Sequence, residues 1–209
     1  MKSFIILLLF IFSKIAVFAQ DQNPKPGNEP KSGFILTIDG KPYNLLEGEQ
    51  LKLDKNLDHP VISVRLADFR TFDNGSLKFN YPAFYSFEFD QDYGYKNWTL
   101  NGKNYTIMIF ELDAKTELDD LVGSMVKKFG KSNCKVDAVQ IKLGDKMLDG
   151  KQLSITLVGQ KLKINFMEIK LPDFKSRFIS FQDTLTDDGK ASSESGSSFD
   201  MISSTIKYF

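Results

Sequence analysis

The sequence predicts an α+β fold, in which antiparallel strands are joined by tight turns and helices pack against the sheet. Apolar residues alternate with polar ones in several short segments, as strands with one buried face require. Asp39-Gly40, Asn74-Gly75 and Asn101-Gly102 separate such segments, and these pairs favour two-residue hairpin turns. Between residues 115 and 129 the apolar spacing changes to that of a helix. The pattern therefore predicts both strands and helices within one chain.

The first nineteen residues have the layout of a secretory signal peptide. Lys2 gives a basic start, Phe4 to Phe12 is an unbroken apolar run, and small residues precede Gln20. We expect cleavage after about Ala19, which makes the mature protein secreted or periplasmic. A membrane anchor is the alternative, but a span needs about 20 apolar residues and Lys14 interrupts this run. No cysteine lies at the cleavage site, so we do not expect a lipoprotein, nor an integral membrane segment after cleavage.

Charge and cysteine content limit the classes of protein that the chain can be. It has 27 basic and 27 acidic residues, and loss of Lys2 and Lys14 with the signal would leave 25 basic against 27 acidic. Nucleic acid binding needs a basic surface, so we expect no nucleic acid partner. Cys134 is the single cysteine, so no intramolecular disulfide can form. The fold must be stabilised by packing.

Residues 20–33 and 34–74 form the predicted N-terminal parts of the mature chain. Residues 20–33 contain proline, glycine and charged residues without an apolar side chain, which predicts a disordered leader. Residues 34–74 contain alternating segments around Leu36 and Val64, which predicts a small β-rich extension. Residues 75–209 then form the main domain.

The main domain has further turn and strand signals after its helix. Asp149-Gly150 and Gly159-Gln160 are predicted as turns between strands. The apolar positions of the segment from Leu162 to Leu171 change phase at Phe166 and Met167. A β-bulge near Phe166 would return both sets of side chains to one face.

Two helices are predicted in this domain. The first extends from about Lys115 to Phe129, with Asp113 or Thr116 as its cap and Gly130 as its end. Its apolar stripe comprises Leu118, Leu121, Val122, Met125, Val126 and Phe129. After a polar loop over residues 186–198, a short closing helix around Ile202 is predicted, with Ser197 or Ser198 as its cap.

Residues 75–209 resemble the PsbP-like family, named for an extrinsic subunit of photosystem II. The resemblance rests on the phrase Leu77–Pro82 (LKFNYP) and on the closing strand, polar loop and serine-led helix between Arg177 and Phe209. It implies an antiparallel sheet sandwiched between helices. Members of the family are binding or assembly proteins, so the resemblance implies a similar role, and it assigns no site residue here because fold does not fix function.

No combination of residues in the sequence predicts catalysis. His59 is the single histidine and Cys134 lacks a partner histidine nearby in sequence. Asp90, Asp92 and Gly94 resemble the start of a calcium loop, but Asn101 occupies the twelfth position, where glutamate is required. We therefore predict no enzyme activity, no cofactor and no metal site.

The segment between Tyr93 and Trp98 is the candidate binding site. Tyr93, Tyr95 and Trp98 alternate with polar residues, and such aromatics can stack on a sugar or anchor a partner protein. The alternative is that they cover the edge of the sheet. Separately, Asp183-Thr184-Leu185 resembles the acid-threonine-aliphatic O-glycosylation site of exported Bacteroidetes proteins, which makes Thr184 a possible modification site.

These observations favour a non-catalytic binding or assembly module of the cell envelope, whose partner is an envelope protein. The alternative is a carrier for a small apolar molecule or lipid, enclosed between the sheet and the amphipathic helix. A hydrolase that uses scattered carboxylates is the weakest hypothesis, because no pair of acids stands apart from the rest.

Overall fold

The computed structural model describes residues 29–53 and 57–209. The predicted signal peptide and most of the predicted leader lie outside the described residues. Within them the chain forms three antiparallel sheets and two α-helices. No helix of the described part combines the length and the hydropathy that crossing a membrane demands.

The first sheet lies at the N-terminal end of the described chain. It comprises β1 (Gly33–Ile38), β2 (Lys41–Leu46) and β3 (Ile62–Leu66), in the order β2-β1-β3. The predicted hairpin at Asp39-Gly40 is confirmed: both residues have positive φ, 47° and 79°, as a turn of this kind needs. Strand β3 pairs with the other side of β1 from Phe34 to Ile38. Both β2 and β3 are therefore edge strands.

The second sheet joins sequence-distant parts of the chain. It comprises β4 (Phe69–Asp73), β5 (Leu77–Pro82) and β13 (Lys207–Tyr208), in the order β13-β5-β4. The predicted turn at Asn74-Gly75 connects β4 to β5, and the Asn74 side chain accepts hydrogen bonds from the backbone N–H groups of Ser76 and Leu77. Strand β4, which the sequence placed with the N-terminal extension, thus pairs with the main domain.

Seven strands form the large central sheet. Its order is β6-β7-β8-β12-β11-β10-β9, and every pair is antiparallel. The strands are β6 (Ser86–Asp92), β7 (Tyr95–Asn101), β8 (Tyr105–Leu112), β9 (Cys134–Leu143), β10 (Lys146–Leu157), β11 (Gln160–Glu168) and β12 (Ser176–Thr184). Strands β6–β8 and β9–β12 are two meanders, and the pairing of β8 with β12 joins them.

Helix α1 (Leu118–Phe129) covers part of one face of the central sheet. The predicted stripe is confirmed: Leu121, Val122 and Met125 are buried, and the other three members pack beside them. The helix ends at Gly130, whose φ of 85° suits glycine. It begins later than predicted, after Glu117, so neither Asp113 nor Thr116 occupies the cap position. The Thr116 N–H donates to the Ser176 hydroxyl.

Helix α2 (Ser193–Thr205) lies on the opposite face of the central sheet. The predicted caps Ser197 and Ser198 are wrong, because the helix starts earlier and Ser192 caps it by accepting a hydrogen bond from the Ser195 N–H. Its first turn is tied to the sheet: the Glu194 carboxylate accepts hydrogen bonds from the backbone N–H groups of Lys103 and Asn104, at 3.1 and 2.7 Å. This long-range contact has no local sequence signal.

The predicted fold class, an α+β fold with a sheet sandwiched between helices, is wrong. Strands make up 52% of the described residues and helices 16%, so the fold is β-rich and has three sheets. On the α2 side, the β4–β5 hairpin buries Phe72 and Phe79 in the core that includes Trp98 and Ile109. A second sheet therefore occupies much of the surface that the resemblance assigned to helices.

The predicted turn at Asp149-Gly150 is also wrong. Strand β10 continues through Gly150, and the chain turns earlier, at Gly144-Asp145. A Cβ atom at Gly150 would lie 2.4 Å from the Phe166 carbonyl oxygen. The close approach of β11 therefore explains the glycine, since glycine inside a strand often marks a place where another backbone comes close.

The predicted β-bulge near Phe166 is absent from the described structure. The register between β11 and β12 is continuous from Leu162 to Glu168. Phe166 lies in the core beneath α1, whereas Met167 lies in the core on the α2 side. The change of phase thus marks the place where the strand becomes buried on both faces.

Candidate functional site

The structure does not bring the three predicted aromatic residues onto one surface. Tyr93 lies in the turn between β6 and β7 and is 97% exposed. Tyr95 is buried on the α1 face, and its hydroxyl donates to the Asp90 carboxylate at 2.7 Å. Trp98 is buried on the α2 face, against Phe72 and Phe89. Side chains three apart in a strand point to opposite faces, a signal already present in the sequence.

Burial and charge fix the ionisation of Tyr95. Its pKa is raised above the ordinary tyrosine value, first by burial and then by the hydrogen bond to Asp90 and the negative charges of Asp90 and Asp92. The phenol therefore stays neutral and donates a hydrogen bond to the Asp90 carboxylate. Of the three aromatics, Tyr93 alone offers a ring to a partner.

Thr184 is the last residue of β12 and stays a prediction as an O-glycosylation site. Its side chain is half-buried, and its backbone N–H donates to the Asn104 carbonyl at 2.8 Å. The neighbouring Asp183 is buried and accepts a hydrogen bond from the Ser192 N–H. The acid of the motif is thus used to hold the start of α2.

The residues with catalytic potential lie apart from one another. The His59 side chain is exposed, and its Nε2 atom lies 3.5 Å from the Asp58 carboxylate. Cys134 is half-buried at the start of β9, and burial raises the pKa of its thiol, which disfavours the nucleophilic thiolate. Across residues 29–53 and 57–209, no group of three or more histidine, cysteine or acidic residues is placed to hold a metal ion.

The buried charges of the central sheet are engaged with one another. Arg177 and Glu111 lie side by side on β12 and β8, and the Arg177 guanidinium also makes two hydrogen bonds to Asp173, at 2.6 and 2.7 Å. Lys175 donates to Glu111 at 2.7 Å. Burial alone would raise the pKa of Glu111, but the hydrogen bond from Lys175 and the neighbouring positive charges bring it below its ordinary value. Each group is held by opposite charge, as in a structural ion-pair network.

The N-terminal sheet has an apolar face that the rest of the described chain leaves open. The register of its three strands places alternate side chains on this face, with Leu36 between Tyr43 of β2 and Val64 of β3. Its exposed and half-buried members are Phe34, Leu36, Tyr43, Leu45, Ile62, Val64 and Leu66, and the buried Ile38 closes the row on β1. We call it the apolar face.

The exposed fractions of its side chains show that solvent reaches this surface. The three β3 residues of the face, Ile62, Val64 and Leu66, are all exposed, Val64 at 62%. Phe34, Leu36 and Val64, together with the β2 end from Leu45 to Glu49, line a shallow groove of about 450 Å³. Contiguous exposed apolar surface of this kind marks interaction sites in soluble proteins.

Charged side chains border the two ends of the apolar face, with two carboxylates at one end and Lys41 beside Asp39 at the other. Glu47 and Glu49 follow β2 at the end near Leu45, and the Glu49 carboxylate accepts a hydrogen bond from the Leu46 N–H at 2.8 Å. Lys41 begins β2 at the other end, opposite Ile38, and its ammonium lies 5.4 Å from the centre of the Tyr43 ring. A bound segment whose two ends differ in charge would therefore favour one direction along the face.

The sequence matches no model of a known protein family and no curated protein. The functional argument therefore rests on the geometry of the chain.

Proposed function

We propose that the protein is a non-catalytic binding or assembly module of the cell envelope, and that the apolar face is its docking surface. The single observation that supports this is the exposure of Ile62, Val64 and Leu66 beside the half-buried Phe34 and Leu36. Large aliphatic side chains gain free energy when they leave water, at about 25 cal/mol per Å². These side chains are exposed together on one face of the sheet, so a partner that covers the face would remove all of them from water at once.

The size of the face favours a helix as the occupant. Three strands of five or six residues cover about 17 Å along the strands and about 10 Å across them. Two globular partners usually bury about 800 Å² each, which this face cannot supply. An amphipathic helix of about 11 residues is about 17 Å long and about 10 Å wide, and it matches the face.

The charges at the rim favour one orientation of that helix. A helix has partial positive charge at its N-terminus and partial negative charge at its C-terminus. Glu47 and Glu49 would then lie beside the N-terminus, and Lys41 beside the C-terminus. We therefore propose that an amphipathic helix of an envelope protein lies along β1, with its N-terminus at the acidic end.

The carrier hypothesis has less support. The interface between α1 and the central sheet is filled by buried side chains, among them Leu121, Met125, Ile164 and Phe166. A ligand enclosed there would have to displace part of the core. Native mass spectrometry of the purified protein that finds a retained lipid would contradict our preference for a protein partner.

A site-specific photo-crosslinker tests the docking surface. Placed at Val64 it projects from the apolar face, whereas at Ser63 it projects from the other face of the same strand. In the living host, we expect crosslinks at position 64 to a peptide whose apolar residues recur at helical spacing. The synthetic peptide should then bind the wild-type protein and fail to bind Val64→Asp. Equal crosslinking at both positions, or none at position 64, would overturn the proposal.

A further inference from the structure

The central sheet has a second surface that differs in chemistry from the apolar face. Helix α1 packs over β10 and β11, on one half of its side of the sheet. Met108 and Phe110 of β8 also lie in the core beneath α1. Polar side chains on that same side come from β6 and β7, and from one residue each of β8 and β12. These are Glu88, Asp90, Asn97, Thr99, Asn101, Thr106 and Gln182, and we call them the polar face.

The strand register arranges these residues in two directions, along the β6–β7 pair and across one row of the sheet. Glu88 lies opposite Thr99, and Asn97 lies opposite Asp90. One row further along, Asn101 lies opposite Thr106, which in turn lies opposite Gln182. With residues about 3.3 Å apart and strands about 4.8 Å apart, the face extends about 13 Å along β7 and about 10 Å along the row from Asn101 to Gln182. Met108 and Phe110 fill the corner between these two directions. The polar face has room for a short oligosaccharide.

Part of the hydrogen-bonding capacity of the polar face is used within it. The Asn101 amide donates to Glu88 at 3.0 Å, and Thr106 donates to the Asn101 amide oxygen at 3.2 Å. The Asn97 amide donates to the Thr99 hydroxyl at 3.2 Å. These bonds hold the side chains in a fixed array, which lowers the entropy cost of binding a ligand.

Two buried oxygens of the polar face lack a partner. Among the described residues, neither the Asn97 Oδ1 atom nor the Gln182 Oε1 atom has a hydrogen-bond donor. Asn97 is only 5% exposed, and its amide lies against Thr99 on this face. Turning the amide over would leave its nitrogen without a partner instead. An unsatisfied buried polar group is costly, and a ligand that completes its hydrogen bonds removes that cost.

The chemistry of the face selects a class of ligand. Amides and hydroxyls both donate and accept hydrogen bonds, as the hydroxyl groups of a sugar do. Glu88 and Asp90 accept from such hydroxyls and repel anions, and none of the seven residues is basic. Tyr93, in the turn beyond Asp90, offers an exposed ring on which a sugar can stack. We propose that the polar face binds a neutral, hydroxyl-rich ligand, namely a glycan.

An array of immobilised glycans probes this site directly. The purified chain is applied to neutral hexose and N-acetylhexosamine oligosaccharides, to free-monosaccharide competitors, and to sulfated and sialylated oligosaccharides. We expect binding to neutral glycans only, and competition by a monosaccharide would identify a free sugar as sufficient. No binding to any neutral glycan, or binding confined to the acidic ones, would overturn the proposal.

Three variants test whether a glycan binds at the polar face. Thr106→Val removes a hydroxyl and keeps the side-chain shape, and Gln182→Ala removes an unpartnered acceptor. Gln140→Ala is the matched control, because Gln140 is exposed on β9 at the far edge of the same sheet. We expect the first two to weaken binding of the best neutral glycan at least about tenfold and the third to leave it unchanged. Equal affinity for all three, with unchanged unfolding midpoints, would place the glycan elsewhere and overturn the proposal.

Discussion

Arg177 and Glu111 form an ion pair inside the protein, on neighbouring strands of the central sheet. The Arg177 Nε atom lies 3.1 Å from a Glu111 oxygen, and the two side chains are only 5% and 8% exposed. Taking two charges out of water is costly, and their attraction offsets this cost only while both are present. The pair therefore makes the joint between β8 and β12 sensitive to loss of either charge.

Removal of one partner should destabilise the protein strongly. Glu111→Ala leaves Arg177 buried with one carboxylate fewer, and we expect a loss of about 3 kcal/mol in the free energy of unfolding. Asp188→Ala breaks the exposed Lys190–Asp188 pair, and this control should cost less than about 1 kcal/mol. Urea unfolding midpoints measure both. A similar small loss for the two variants would show that the buried pair adds nothing.

The same cluster should make stability fall at acidic pH. Hydrogen bonds from Arg177 lower the pKa of Asp173 from 3.8 to about 2, and the pKa of Glu111 is also lowered from 4.5. A carboxylate with a depressed folded-state pKa stabilises the fold above its unfolded-state pKa, and the effect is lost as pH falls through the folded-state pKa. Unfolding midpoints should therefore be flat from about pH 7 to about pH 5 and decline between about pH 5 and pH 2. In Asp173→Asn the decline should be shallower. An identical pH profile for this variant would contradict the assignment.

The stripe of α1 should be essential for folding. Leu121→Asp places a carboxylate at a fully buried position, where the desolvation cost adds to the lost apolar contact. We expect this variant to be unfolded by far-UV circular dichroism and in urea titrations. Its exposed neighbour provides the control: Asp120→Ala should change the free energy of unfolding by less than about 1 kcal/mol, the upper range for a first-turn carboxylate. Equal midpoints would mean that the stripe is not core.

Glycine to alanine changes should have opposite signs at two positions. At Gly150 the new Cβ would meet the Phe166 carbonyl oxygen at 2.4 Å, so Gly150→Ala must displace backbone and should destabilise. At Gly123, inside α1, the new Cβ meets nothing within 4 Å, and Gly123→Ala should stabilise by about 0.5 to 1 kcal/mol. Thermal and urea unfolding of the two variants compare them directly. Stabilisation by both changes would contradict the close approach of β10 and β11.

Local signals in the sequence predicted most of the elements, and non-local contacts explain what was missed. The turn at Asp39-Gly40 and the stripe around Leu121 are decided by neighbours in sequence, and both were predicted correctly. Gly150 was interpreted as a turn because its true cause, the approach of Phe166, comes from another strand. The start of α2 was placed too late because Glu194 is fixed by backbone groups of a distant hairpin. The fold class was wrong for the same reason, since nothing local showed that β4 and β5 cover the central sheet.

The candidate surfaces were harder to predict than the fold. The alternation of Ile62, Val64 and Leu66 predicted a strand correctly, but the pattern of an exposed apolar face is the same as that of a buried one. Tyr95 and Trp98 were grouped because they are close in sequence, although residues three apart in a strand lie on opposite faces. The polar face had no sequence signal of its own, because its residues come from four strands. Only the register brings Asn101, Thr106 and Gln182 together.

The pairing of β8 with β12 also has a kinetic consequence. Each meander can form from contacts between adjacent strands, but Ile109 meets Ile179 only after about 70 intervening residues have been ordered or looped out. The entropy of that closure must be lost before the contact contributes any free energy, which slows folding. Until then β8 and β12 expose a hydrogen-bonding edge with apolar side chains on both sides, the condition under which chains aggregate. The protein is therefore most vulnerable to aggregation before β12 has paired with β8, and a chaperone that shields the edge of β8 would raise its yield more than one that shields α1.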